Sequence, residues 1–287
     1  MVHTPSLWLS EGLTSYYGWL ALERAGLITQ QLYLDGIAEV ITRLEQAPGR
    51  QERSIEDTSW DTWFLGSDTN EQNNLNNTFY SYYDGGQVIG HILDFAIRQD
   101  TSNHKSLDDW MRLMYSLYAL PKPGFEPEDA VSAASEVANK DLSGVFSQYI
   151  SGKEPIPYEK YFAYAGVTVE KKLDSEKGWI GIRTTTEDGR AKVRSLIPGG
   201  PAETAGLDRD DVVMAVDGRV VNADAFNQTV SEHKPAQTIR VTVVRLGELK
   251  EIPVTIAANP YPTFKLEPME HPTEQQKAIY NSWMGIK

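Results

Sequence analysis

The stretch "SLWLSEGLTSYYG", residues 6–18, sets one carboxylate, Glu11, among Trp, Leu, Tyr and Gly. Apolar residues recur at three- and four-residue steps through Leu13, Tyr16, Tyr17, Leu20 and Leu22, so the segment predicts a helix with Glu11 near its start. A carboxylate in that place complements the helix dipole, and that alone would account for it. Whether Glu11 does more depends on what surrounds it.

The helical pattern continues outward. Leu32, Leu34, Ile37, Val40, Ile41 and Leu44 form a second periodic run. Gly26 reads as the first helix's C-cap, Thr29 as the next N-cap, and Pro48 and Gly49 as the stop. A polar, Trp-containing stretch follows over 50–77, whose "DTNEQNNLNN" (68–77) predicts a surface loop. "FYSYYDGGQVIGHILDFAIRQD" (79–100) predicts a helix beginning near Gly85 or Gly86. "SLDDWMRLMYSLYA" (106–119) opens on a Ser cap with acids in its first turn, and 126–152 supplies one or two more helices.

From Gly166 the pattern changes to short β-like runs separated by turns: "VTVEKK", "WIGIRTTT", "AKVRSLI", "VVMAVDG", "TIRVTVVR" and "KEIPVTIA". A proline-rich stretch over 259–272 leads to a short amphipathic docking helix in "TEQQKAIYNSWMG". The expected organisation is multidomain α + β. A helical lobe spans 1–160, a β domain 161–258 and a helical tail 259–287.

Composition narrows the partners. The 287 residues carry 40 acidic against 27 basic side chains, a net charge of −13. Such a chain repels nucleic acid and anionic membranes. No run approaches the roughly 20 apolar residues of a membrane helix. There is no cysteine, which removes disulfides, thiolate metal sites and Cys nucleophiles, and fits either the cytoplasm or a bacterial periplasm.

"WIGI" (179–182) and "SLIPGGPAETAGLDRDDVVMAVDGRVV" (195–221) resemble the PDZ family in its bacterial protease-associated form, over roughly 166–258. The resemblance implies a β-barrel-like module that takes a peptide as an added strand beside "GIRTTT". Backbone N–H groups near Trp179, Ile180 and Gly181 would hold the peptide's terminal carboxylate, and Ile182 would begin the pairing strand. Asp217-Gly218 makes a turn. The groove helix follows, with Asp224 as its N-cap and Ala225, Phe226 and Thr229 as its wall.

"LWLSEGLTSYY" is similar to the third-ligand helix of gluzincin metallopeptidases, with its W-x-[NS]-E-G motif. Within that clan the closest resemblance is to the glycyl-aminopeptidase family, whose members carry a C-terminal PDZ domain. "YYDGGQVIGHILDF" looks like that family's Tyr-bearing helix, Y-x-K-G followed by a Leu-rich run ending in Asp, although Gly85 stands where the family has Lys. The resemblance implies the helical lobe of a thermolysin-like catalytic domain acting on peptides. Glu11 would be the third zinc ligand and Ser15 a brace near it, one turn on. Tyr83 would donate to the oxyanion of the tetrahedral intermediate, with Tyr82 as the register alternative and Tyr80 a weaker one.

The HExxH of such enzymes is not in this sequence. His3, His91, His104, His233 and His271 include no pair at i and i+4, and His91, on an apolar helix, reads as a hydrogen-bonded core residue. Zinc is therefore expected in a parent protein rather than held by this chain, with the first two ligands before Met1. On that reading the fragment alone is inactive, its partners are the missing N-terminal half of the catalytic domain and a peptide substrate, and Leu7, Trp8 and Tyr16 are left exposed. The other reading is a non-catalytic PDZ adaptor. A serine protease has no support, since no G-x-S-x-G occurs.

Overall fold

The computed structural model describes residues 3–65, 77, 78 and 80–286. The "DTNEQNNLNN" reading lies, through residue 76, outside the described residues. The chain divides into two compact units, the first within 1–64, 79–171 and 263–287, the second built on 172–262.

The first unit opens on one π-helical turn, Trp8–Gly12, which runs directly into α1 (Leu13–Arg24). Gly26 turns the chain at φ +69°, and the Thr29 hydroxyl accepts from Leu32 N at 3.2 Å to start α2 (Gln30–Glu45). After α3 (Gly49–Glu52) comes α4 (Ile55–Leu65), inside the stretch that polarity alone had left without an element. Its start is a reciprocal cap: Ser54 N donates to the Asp57 carboxylate and Asp57 N to the Ser54 hydroxyl. The "SIED" spacing was the signal for it.

α5 (Tyr82–Asp100) is the axis of this unit, buried continuously from Gly85 to Arg98. It begins three residues before the expected glycines, because Ser81 accepts from Asp84 N and caps it there. A helix buried on all sides needs neighbours on all sides. α1 and α2 supply some, followed by α6 (Leu107–Tyr118), α7 (Pro127–Ala138) and α9 (Tyr158–Tyr164), while α8 (Ser143–Tyr149) packs on α7. Trp8 and Tyr16, expected on an open face, are buried at 4% and 1%: Trp8 meets Phe146 edge-on and Tyr16 lies on α5.

β1 (Val167–Lys172) also belongs to this unit. It pairs with β10 (Thr263–Pro268), which lies along α2 and donates Phe264 N to the Thr42 hydroxyl. The last helix, α12 (Glu274–Trp283), is capped by Thr273 and Gln276 and drives Trp283 fully into the core. His91 is there too, ringed by Tyr16, Tyr33, Phe95, Phe162 and Trp283. Contrary to expectation neither ring nitrogen has a hydrogen-bond partner, because the imidazole is packed among aromatic rings.

Gly18, in the middle of α1, has nothing within 4 Å of where a Cβ would stand. Gly18→Ala is expected to stabilise the chain by about 0.5–1 kcal/mol, read as a higher denaturation midpoint at unchanged slope.

The second unit is an open sheet rather than a closed barrel. Its strands are β2 (Gly178–Trp179), β3 (Ile182–Glu187), β4 (Arg190–Leu196), β5 (Val212–Val216), β6 (Arg219–Val220), β7 (Thr238–Arg245), β8 (Glu248–Thr255) and β9 (Ala257–Ala258). The main sheet runs β3-β4-β5-β7-β8 with β6 on β5, while β2 pairs with β9. Short α10 (Pro201–Ala205) and longer α11 (Ala223–Glu232) complete it. The N-cap of α11 is Asn222, which accepts from Ala225 N at 2.8 Å, and Asp224 stands inside the first turn instead. Among the described residues no helix is long and apolar enough to cross a membrane.

Candidate functional site

Glu11 sits in the π-helical turn and is half-buried. The turn is anchored by Trp8 N, which donates to the buried Ser59 hydroxyl of α4 at 3.1 Å. The Ser15 hydroxyl donates to the Glu11 backbone carbonyl at 3.0 Å, so Ser15 braces the main chain of Glu11. Gly12 explains why a glycine follows the acid. A Cβ there would lie 2.4 Å from Gly86 Cα, and one on Gly86 would lie 2.1 Å from the Trp8 carbonyl oxygen. The π-helical turn and the first turns of α5 therefore cross backbone to backbone.

That crossing brings the start of α5 to Glu11. Tyr82 is buried and Tyr83 is 43% exposed, the two rings stacked at 4.9 Å. The Glu11 carboxylate and Tyr82 are near enough to the Tyr83 phenol to act on its ionisation. Burial first, then Tyr82 and Glu11, push its pKa up to about 12. Tyr83 thus stays protonated near neutral pH and can serve as a donor. Arg43 grips the adjoining Asp84 through two hydrogen bonds of 3.0 and 3.2 Å and fixes the start of α5 against α2. Tyr80 is buried, with its hydroxyl lacking a hydrogen-bond partner and its pKa raised mainly by burial.

Among the described residues no group of three or more His, Cys, Asp or Glu could hold an ion. One carboxylate does not make a zinc site, so the donor set present here does not fit zinc by itself.

In the second unit the edge strand β3 leaves one side without a strand partner among the described residues, and α11 runs beside it. Gly181 precedes β3 at φ +77°, with the Trp179 ring 3.0 Å from where a Cβ would sit. The Ile180 carbonyl accepts from Ala202 N and the Gly181 carbonyl from Ile197 N, at 2.8 and 2.7 Å. In trans peptides an N–H points opposite to its own carbonyl. The N–H groups of Gly181 and Ile182 therefore both face away from the 197–202 segment. Two such donors in succession, one beside a left-handed glycine, form a cradle for an anion. Phe226 is buried under the groove, and Thr229 is half-buried, its hydroxyl donating to the Ala225 carbonyl at 2.7 Å.

Residues 1–89 match the M61 glycyl aminopeptidase family. Residues 178–256 match the PDZ domain. The resemblance read in "LWLSEG", "YYDGG" and "WIGI" is borne out by both. An aminopeptidase N family protein from Idiomarina loihiensis has a similar structure, with a TM-score of 0.85 at 20% identity, over 98% of this chain and 49% of that one. At that identity the likeness speaks for the fold. Among curated proteins, a probable periplasmic serine endoprotease DegP-like of Chlamydia pneumoniae is 39% identical over 71 residues, 24% of this chain and 14% of that protein. Its namesake in Brucella suis is 34% identical over 103 residues, covering 31% and 20%. The chain thus spans about half of the similar structure and a fifth or less of these relatives.

The sequence singled out Glu11 and Tyr83 but passed over Gly12 and Gly86, which bring them together. The "EG" and "GG" pairs were the available signal, since two helices with facing glycines can cross closely.

Proposed function

We propose that this chain is the third-ligand half of an M61-type zinc aminopeptidase, joined to a PDZ domain that binds polypeptide. The observation that carries the reading is the backbone crossing at Gly12 and Gly86, which sets the turn bearing Glu11 against the start of the helix bearing Tyr83. Two imidazoles from an HExxH helix outside this chain would complete the metal site. Zinc, when bound, supplies the Lewis acid and an activated water. The chain's own part is to offer one carboxylate as ligand and one protonated phenol as donor to the developing oxyanion. The PDZ unit would hold a polypeptide terminus in the cradle at Gly181 and Ile182, with the chain adding a strand to β3. By itself the chain would be inactive.

The test uses the full-length parent protein. Elemental analysis is expected to find one zinc per chain, and Glu11→Ala to weaken zinc binding at least about tenfold. A zinc-free parent, or a Glu11→Ala variant that holds zinc as well as the wild type, rejects the peptidase reading. A zinc-free parent that still binds C-terminal peptides establishes the adaptor reading.

A further inference from the structure

Asp94 closes the Leu-rich run of the Tyr-bearing helix, and nothing in the proposed chemistry uses it. It is 1% exposed and held from three sides. Its Oδ1 accepts from Leu107 N at 2.8 Å, at the start of α6. Its Oδ2 accepts from Arg98 Nε at 3.0 Å and from the Tyr16 hydroxyl at 2.8 Å. Arg98 in turn donates to Asn103 and, at 2.8 Å, to Ser282 of α12. The carboxylate is thus a fixed post joined to α6 and α12, and Tyr16 is what hooks onto it.

Tyr16 stands five residues after Glu11, on the same continuous helix. Asp94 stands eleven residues after Tyr83 on α5. The helices meet at two levels: glycine on glycine beside the site, and a directional hydrogen bond below it. Gly90 lets the Tyr16 side chain approach α5 closely, since a Cβ there would lie 3.0 Å from Tyr16 Cγ. Glycine surfaces set how close two helices come but resist sliding weakly, because neither side presents a knob. A 2.8 Å hydrogen bond does resist it, since it weakens steeply with displacement and misalignment.

We propose that Asp94, acting through the Tyr16 hydroxyl, is a positioning residue that fixes the register of the Glu11 helix against the Tyr83 helix. This rests on the reading of Glu11 and Tyr83 as a working pair. It adds that the pair is set from a distance, by a buried carboxylate eleven residues, about three turns, along α5 from Tyr83.

The test is a double-mutant cycle in two backgrounds, using this chain and its chemical denaturation. Glu11→Gln and Tyr83→Phe are measured singly and together, first with Tyr16 present and then in Tyr16→Phe. With Tyr16 present the two substitutions are expected to couple by about fivefold in the folded-to-unfolded ratio. In Tyr16→Phe the coupling is expected to vanish. A purely structural hydroxyl would lower the stability of all four proteins alike and leave the coupling at fivefold, which would overturn the proposal. Absence of coupling in both backgrounds would overturn it too. Asp94→Asn, of the same shape, is read in the same way should Tyr16→Phe fail to refold. None of these readouts involves zinc, so a zinc-free parent protein would reject the peptidase reading and leave this result standing.

Discussion

Gly86→Ala is expected to destabilise the chain by about 3 kcal/mol and to part Glu11 from Tyr83. The added methyl would stand 2.1 Å from the Trp8 carbonyl oxygen, 2.8 Å from Gly12 Cα and 2.9 Å from the Trp8 carbonyl carbon. All three are backbone atoms, so no rotamer change relieves the clash and one helix must move. Overpacking typically costs about 1–3 kcal/mol where side chains can adjust, and more where they cannot. Against this, alanine gains about 1 kcal/mol of helix propensity over glycine, which offsets part of the cost. Gly18→Ala receives the same propensity gain with open space around it, so the two substitutions should shift stability in opposite directions. Urea titration of both variants checks the sign and the size together. A Gly86→Ala protein as stable as the wild type would mean that the helices do not cross at their backbones, and the site geometry would fall with it.

Local chemistry was legible in the sequence where one residue decides the outcome. Gly26 and Thr29 mark the break between α1 and α2, and Ser106 with Asp109 the start of α6, because caps act within a single turn. Ser54 and Asp57 carried the same kind of signal and were hidden by the polarity around them. The groove-helix cap moved from Asp224 to Asn222 because either side chain can serve, and the chain path chooses. What the sequence did not reveal is long-range. Trp8 and Tyr16 are buried because α8 and α5 cover them, and β1 finds β10 across nearly a hundred residues. The same holds for the site. Glu11 and Tyr83 are residue types that a motif can mark, but their meeting depends on Gly12 and Gly86, seventy-four positions apart.

Acidification from pH 6.5 to 3.5 is expected to remove about 4 kcal/mol of stability through His91 alone. Its imidazole is fully buried, neither nitrogen is hydrogen-bonded, and burial pushes its pKa down to about 3. In the unfolded chain the same group titrates near 6.5. Between those values the unfolded state binds a proton that the folded state refuses. Stability from this group is therefore complete above about pH 6.5 and declines by about 1.4 kcal/mol per pH unit until the folded group itself titrates near 3. Tyr16 and Tyr33, the phenols beside the ring, have pKa values raised by burial and stay neutral throughout. Glu23 and Glu56 have pKa values raised mainly by burial, so they act in the opposite direction on acidification. The comparison that isolates His91 is therefore between slopes. His91→Phe keeps an aromatic ring in the aromatic niche, removes two unsatisfied polar atoms and should be at least as stable as the wild type at neutral pH. Its stability should fall less steeply on acidification, the two curves separating by about 4 kcal/mol at pH 3.5 relative to pH 7. Parallel curves would show that the buried imidazole takes up its proton without unfolding the unit, and the closed aromatic niche around it would have to be abandoned.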